Sequence, residues 1–272
     1  MSIDEVALSK GELYTIVTNK KAKGKKGSIV AIIATTKAES IIKHLFKISS
    51  SKRNKVKEIT LDMANSMKLI VKRCFPKAIQ VTDRFHVQKL ALEALQEIRI
   101  KHRWEAIDTE NELIKFAKTN NKEYIPEVLE NGDTIKQLLA RSRYLLYKAP
   151  SNWTEDQKVR ANILFERYPD IKTAFNLVQG LRNIFNTATS IQIAYTKLAH
   201  WYKDVEQTGY KAFNTIAKSI KLNYSSILNY FINRSTNAAA ESFNAKIKAF
   251  RLQFRGVKNT EFFLYRLTTI FA

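Results

Sequence analysis

The chain has 272 residues with 46 Lys+Arg against 25 Asp+Glu, a formal net charge of +21 and a pI near 9.9, the electrostatic footprint of a polyanion partner, nucleic acid before any other. A single cysteine, Cys74, excludes a disulfide framework and a cysteine-built zinc site. No stretch approaches the roughly 18 apolar residues of a membrane span, and the first fifteen residues lack the regions of a signal peptide, so a cytoplasmic protein with no membrane contact is expected.

In chain order, residues 3–8 and 13–18 read as short strands separated by SKGE, where Lys10 and Gly11 mark a turn. A third strand, 28–34, follows the hairpin tip NKKAKGKKG, whose lysines are either simply solvated or a track for a phosphate backbone. Thr36 caps a helix to about Ile48 with Ala38, Ile41, Ile42 and Leu45 as its buried stripe, and SSSKRNK links it onward. Next come an apolar run (Val56, Ile59, Leu61) ending on Asp62, a helix over 64–75 (Met67, Ile70, Val71, Cys74), and a second run (Ala78, Ile79, Val81) ending on Asp83. A helix between two strands makes them parallel neighbours, and a parallel sheet presents ligand-facing groups at its carboxyl ends. Three antiparallel strands extended by two parallel ones have the order of a ribonuclease H-like fold, an α/β architecture on a mixed sheet.

From Phe85 to Phe231 the periodicity is helical throughout, with helices expected at 85–104, 108–119, 133–147, 154–167, 170–187, 190–206 and 211–231. Thr154 with Gln157 has capping-box spacing, Pro169 sits near a helix start, and Gly132 and Gly209 punctuate others. The expected organisation is a core begun by 1–87, a large all-helical insertion at 88–231, and a final helix and tail at 232–272 that complete the core. On that final helix Ala240, Phe243, Ile247, Phe250 and Phe254 form one stripe, and Asn237, Glu241, Asn244, Lys248, Arg251 and Arg255 a second one in which a single acid leads a row of bases. Taken alone, the second stripe is an ordinary solvated face with its acid near the positive end of the helix dipole.

Asp4 on the first strand, Asp62 after the fourth and Glu241 on the late helix are three carboxylates from distant parts of the chain. In a sheet of this order the first and fourth strands are neighbours, so Asp4 and Asp62 lie side by side and repel unless cations sit between them. Magnesium or manganese, hard ions that prefer oxygen, answer that requirement. Two such ions about 3.5–4 Å apart clamp the attacking and leaving oxygens of an in-line phosphoryl displacement. Strand-end aspartates are common in open α/β sheets and do not by themselves define a function.

The runs IDEVALSKGELYT, LDMANSMKLIVKRCFPKAIQVTDRFHVQKL and RSTNAAAESFNAKIK, in this order, resemble the catalytic region of the ISL3 family of bacterial insertion-sequence transposases. The resemblance spans nearly the whole chain. It implies a DDE-type DNA transposase: a ribonuclease H-like domain interrupted by a helical insertion, two magnesium or manganese ions, cleavage at the element ends and strand transfer into target DNA. It also implies a homodimer or higher assembly in the synaptic complex and location at the nucleoid when DNA is bound. The family's acids fall on Asp4, Asp62 and Glu241. Asp83-Arg84-Phe85-His86 is similar to the aspartate-x-x-histidine signature of related transposases; Asp83 is the alternative second ligand, and His86 either orients a carboxylate or touches DNA, or is a helix-start histidine satisfied by backbone. Family members usually carry an N-terminal zinc segment and helix-turn-helix, which leaves a separate N-terminal DNA-recognition polypeptide, or a longer chain, as the source of sequence reading.

Candidate phosphate contacts are Arg84, Lys89, Arg141, Arg143, Lys246, Lys248, Arg251 and Arg255. Two other functions fit the same residues: a ribonuclease H-like nuclease without strand transfer, and a catalytically silent, transposase-derived DNA-binding protein.

Overall fold

A computed structural model describes residues 1–8, 11, 13–254 and 259–272. Its described residues divide into two compact units, one of Met1–Val87, Thr189–Ile191 and Leu222–Ala272, the other of Gln88–Ala188 and Gln192–Lys221.

The first unit opens with β1 (Ser2–Ala7), β2 (Leu13–Thr18), β3 (Ile29–Ile33), α1 (Ala38–Leu45), the single turn α2 (Ser50–Arg53), β4 (Glu58–Leu61), α3 (Asn65–Cys74) and β5 (Ile79–Thr82). The strands form one mixed sheet in the order β3-β2-β1-β4-β5, antiparallel from β3 to β1 and parallel from β1 to β5. Gly11 adopts the left-handed region (φ 76°) that the turn after β1 needs; Lys10 lies outside the described residues. The expected Thr36 cap is not made: α1 starts after Lys37, and the hydroxyl of Thr35 accepts from the Lys37 amide at 3.1 Å.

Side chains alternate across a strand, so each strand feeds two cores. Ile3, Val17, Ile33, Ile59 and Leu61 face α1 and α3, whose Ile41, Leu45, Met67, Ile70 and Cys74 are fully buried against them. On the other face Val6, Leu8, Tyr14, Ile16 and Ile29 meet α12 (Ala238–Gln253) and α13 (Thr260–Phe271) through Phe243, Ile247, Phe263, Leu267 and Phe271. The segment expected as tail is the helix α13: Asn259 caps it, accepting from the Phe262 amide at 3.0 Å, and Phe263, Leu267 and Phe271 recur at helical spacing.

The chain from 84 to 233 is helical: α4 (Arg84–Thr119), α5 (Ile135–Tyr147), α6 (Glu155–Arg167), α7 (Pro169–Thr187), α8 (Ile191–Thr208), α9 (Lys211–Leu222), α10 (Tyr224–Leu228) and α11 (Tyr230–Asn233). Two expected boundaries shift. Helices 85–104 and 108–119 are the single 36-residue α4, because the segment WEAID between them contains no residue that breaks a helix. Conversely 211–231 breaks at Asn223 and Asn229. The short pieces α10 and α11 lie along β5, where Asn229 Nδ2 donates to the Gln80 carbonyl (2.9 Å) and Ser226 pairs with Thr82 (2.7 Å), so side chains cover the edge of the sheet.

In the second unit the expected Thr154–Gln157 capping box forms, and Thr134 with Gln137 makes another. Trp153 stacks on Phe175 (5.4 Å) and donates to the Leu145 carbonyl, while Trp201 donates to that of Leu177. Asp133, with no exposed surface, is the unit's polar anchor: Arg160 Nε (2.7 Å) and Asn131 (2.9 Å) donate to one oxygen and Arg141 to the other. Burial pulls its pKa up, but the hydrogen bonds from Arg160 and Arg141 outweigh that and hold it below the ordinary 3.8. Its contribution is therefore present above about pH 4 and lost as the pH falls through the depressed value. Removing one partner of a buried ion pair strands the others, so Asp133→Ala should cost about 3–5 kcal/mol in urea unfolding at neutral pH and less in acid; a change under about 1 kcal/mol, the surface-pair range, would mean that the cluster contributes little.

Candidate active site

Sheet register assembles the site. Ser2 pairs with Thr60 and Leu61 with Thr82; continued by two residues and by one, these registers bring Asp4, Asp62 and Asp83 level with one another across β1, β4 and β5. Parity puts Asp4 on the face of Val6, and Asp62 on that of Thr60, the face that α12 covers. Glu241 lies in the first turn of α12.

Each acid is held differently. Asp4, half-buried, accepts the Glu5 amide on Oδ1 (2.9 Å) and Asn244 Nδ2 on Oδ2 (2.8 Å). Asp62 Oδ1 accepts the Ala64 amide (2.9 Å) in the turn that leads into α3. Asp83 is 1% exposed, and its Oδ1 is buried without a hydrogen-bond partner among the described residues. Its amide donates to the Leu61 carbonyl and its own carbonyl accepts the His86 amide, where α4 begins.

The groups share one electrostatic field. Burial raises the pKa of Asp4, the Glu5 amide and His86 oppose the rise, and Asp62 adds to it. Partial desolvation raises that of Glu241, with Asp83 and Asp4 adding repulsion and His86 opposing. His86 is thus within electrostatic reach of Asp4 and Glu241. The donors are all oxygen, and a buried carboxylate oxygen lacks a partner, which is the chemistry a hard divalent cation meets. The side chains are gathered, not closed into a shell: among the described residues no three His, Cys, Asp or Glu groups are placed to hold a metal as they stand.

Two asparagines of the expected solvated stripe fasten the helix carrying Glu241. Asn237, 1% exposed, accepts from Thr60 Oγ1 at 2.5 Å, and Asn244, 7% exposed, binds Asp4. They lie four residues before Glu241 and three after it. The expected polar stripe in fact splits by heptad: Asn237, Asn244 and Arg251 face inward, Glu241 and Lys248 outward. For Arg251 a cue lay in the capping asparagine and apolar stripe of α13, which packs against it.

The same split corrects the phosphate contacts. Arg251 is 7% exposed with its guanidinium 5.0 Å over the Phe263 ring, so packing of α13 takes it out of the surface row. Arg141 is committed to Asp133. Lys248 is exposed, with no ion-pair partner among the described residues, and Lys246, also exposed, donates to the Gly24 carbonyl (3.1 Å). Arg84 donates to Tyr230 Oη (3.3 Å). Lys89 pairs with Glu93 (3.7 Å), and Arg143 lies 5.6 Å over the Tyr144 ring. Arg255 lies outside the described residues.

A mixed sheet of this order, interrupted in sequence by a large helical part before the helix that brings Glu241, is the ribonuclease H-like architecture. Residues 1–267 match the profile of the ISL3-type DDE transposases, described simply as transposase, and the chain belongs to that family. It is 23% identical over its whole length to the transposase of insertion sequence element IS1001 from Bordetella parapertussis, of which it spans 60%. Over 74% of its length it is 24% identical to the transposase of IS1557 from Mycobacterium tuberculosis (strain H37Rv), spanning 44% of that protein. The family and the architecture accord with the resemblance read from the three motifs. Among the described residues no helix is long and apolar enough to cross a membrane.

Raised carboxylate pKa values mean that the protonated form favours the folded state, so this stability is present below the unfolded value, near 4.5 for Glu241, and lost as the pH rises through the folded value. Glu241→Gln should therefore melt at or above wild type at neutral pH in EDTA. The margin should shrink toward pH 4.5, and excess magnesium should raise the melting temperature of wild type more than that of the variant. A variant that melts well below wild type in EDTA would show that Glu241 has a stabilising partner instead of repelling neighbours.

Proposed function

We propose that the chain is the catalytic core of a DNA transposase that cuts a phosphodiester at the end of its element and joins the freed 3′-hydroxyl to a second strand. The observation that carries this reading is the level placement of Asp4 and Asp62 on adjacent strands, with Glu241 within electrostatic reach of Asp4, in a chain of the transposase family. The relatives' names attach both to insertion-sequence elements, so the element's DNA is the proposed substrate.

In this reading Asp4, Asp62 and Glu241 would hold two magnesium or manganese ions, with Asp83 as the buried supporting acid. Such ions supply charge stabilisation at the attacking and leaving oxygens of an in-line displacement. The remaining work falls to the chain's own groups. Asn244 fixes the Asp4 carboxylate through one oxygen; Thr60 and Asn237 hold the start of α12, so that Glu241 is delivered by a fastened helix. Lys248, seven residues after Glu241 on the same outward line, meets the phosphate backbone beside the acids and positions it without reading sequence. Residues 1–87 and 232–272 would form the catalytic part, and 88–231 the helical insertion.

Asp4→Asn, Asp62→Asn and Glu241→Gln should each lower magnesium-dependent strand cleavage by at least about 10²-fold, the scale of losing a preorganised electrostatic group, with duplex affinity in calcium little changed. Cleavage that survives Asp62→Asn but not Asp83→Asn would transfer the second ligand role to Asp83. Cleavage surviving in all three would remove the catalytic reading and leave a DNA-binding protein. Lys248→Ala should reduce the salt dependence of binding by up to about 0.9 in slope, one phosphate contact; an unchanged slope returns Lys248 to a solvated face.

A further inference from the structure

Two basic segments play no part in the proposed chemistry: the hairpin tip after β2 and the SSSKRNK connection before β4. The fold brings them together. At the end of the sheet where β4 begins, a cleft of about 760 Å³ is lined by Lys20 and Lys21 from the tip, by Lys52, Arg53 and Lys55 from the connection and by Lys57 just before β4, with Glu58 as its only acid among the described residues. Glu58 is already occupied, accepting from Asn233 (3.1 Å) and pairing with Lys20 (3.8 Å), so it does not repel an anion with its full charge. Arg53 is fixed by bonds to the Ile48 and Cys74 carbonyls. Lys21, Lys52, Lys55 and Lys57 are exposed and have no ion-pair partner among the described residues. Val30, Val56 and Phe75 also line the cleft, and low-dielectric walls focus the field of the bases above them.

We propose that this cleft is a second track for the phosphate backbone of duplex DNA, separate from the acid row and from Lys248. The four uncommitted lysines come from different segments and line a groove, which suits a row of phosphates better than one small anion. Lys57 precedes Asp62 by five residues along β4, and its carbonyl still accepts the Ile79 amide of the sheet ladder. At about 3.3 Å per residue the cleft therefore lies on the order of 16 Å from the acids. With one phosphate per about 3.4 Å of each strand, it would grip the duplex about five base pairs from the phosphodiester held at the acids.

The inference is tested by binding, independently of cleavage. The probe is a random-sequence duplex, and affinity is measured against salt in calcium for wild type and for the variant Lys21→Glu/Lys52→Glu/Lys55→Glu/Lys57→Glu. A control, Lys115→Glu/Lys118→Glu/Lys122→Glu/Lys172→Glu, makes the same change of net charge in the helical unit. The cleft variant should lose about 2–4 units of slope, near 0.9 per phosphate contact, and the control under about one. The four Lys→Gln exchanges in the cleft should move the slope in the same direction, which guards against a folding defect in the Glu variant. In addition Lys55→Cys, labelled with a photocrosslinker while the native Cys74 stays buried, should crosslink to duplex. Equal slopes for cleft variant and wild type, or an equal loss in the control, would overturn the inference. If wild type does not nick DNA but the slopes differ as expected, the cleft stands and the catalytic reading falls; if it nicks and the slopes match, only the cleft falls.

Discussion

The parallel register of β1, β4 and β5 is the constraint on which the rest of this structure depends. It sets Asp4, Asp62 and Asp83 level on neighbouring strands, at an inter-strand spacing of about 4.8 Å, and like charges at that range repel one another. Two of the acids have separate anchors, Asn244 for Asp4 and the Ala64 amide for Asp62, whereas Asp83 is buried with no partner on its Oδ1 among the described residues. Stability given up here is recovered in the two apolar layers that clamp the sheet. An arrangement of this kind favours whatever cation relieves the repulsion, which links the strain of the fold to the chemistry proposed for it.

Helix α12 couples the far end of the chain to this row. One side of it is core, with Phe243 and Ile247 against β1 and β2. Its polar fastenings, Asn237 to Thr60 and Asn244 to Asp4, bracket Glu241. A helix held by packing alone can slide or rotate by a fraction of a turn; two hydrogen bonds to different strands, one buried and one partly buried, fix its rotation as well as its distance. The position of Glu241 therefore depends on residues that carry no charge.

Much of this was legible in the sequence. Strand period, strand-end aspartates and a helix between two strands give the elements, because those signals are local; the neighbourhood of Asp4 and Asp62 follows from the ribonuclease H-like order that those elements match. What was not legible depends on partners distant in sequence. Arg251 reads as a surface base until α13 is seen to cover it, and Asn244 reads as solvated until its contact with Asp4 is known. Arg141 reads as a phosphate ligand because its partner Asp133 lies in a loop whose burial no periodicity reports. Asn223 and Asn229 fit a helical pattern, yet the chain breaks there so that side chains can cap the edge of β5, a tertiary demand that overrides propensity. The two basic segments around the cleft were visible singly; only topology shows that they converge.

The most direct test of the shared site is to replace magnesium with ferrous iron and expose the protein to ascorbate and peroxide. Hydroxyl radicals generated at a bound iron cut only nearby backbone. Cuts close to residues 4, 62 and 241, suppressed together by excess magnesium and absent in Glu241→Gln, are the expected result. Cuts confined to other segments, or cuts near these residues that magnesium does not suppress, would contradict a common cation site built from β1, β4 and α12.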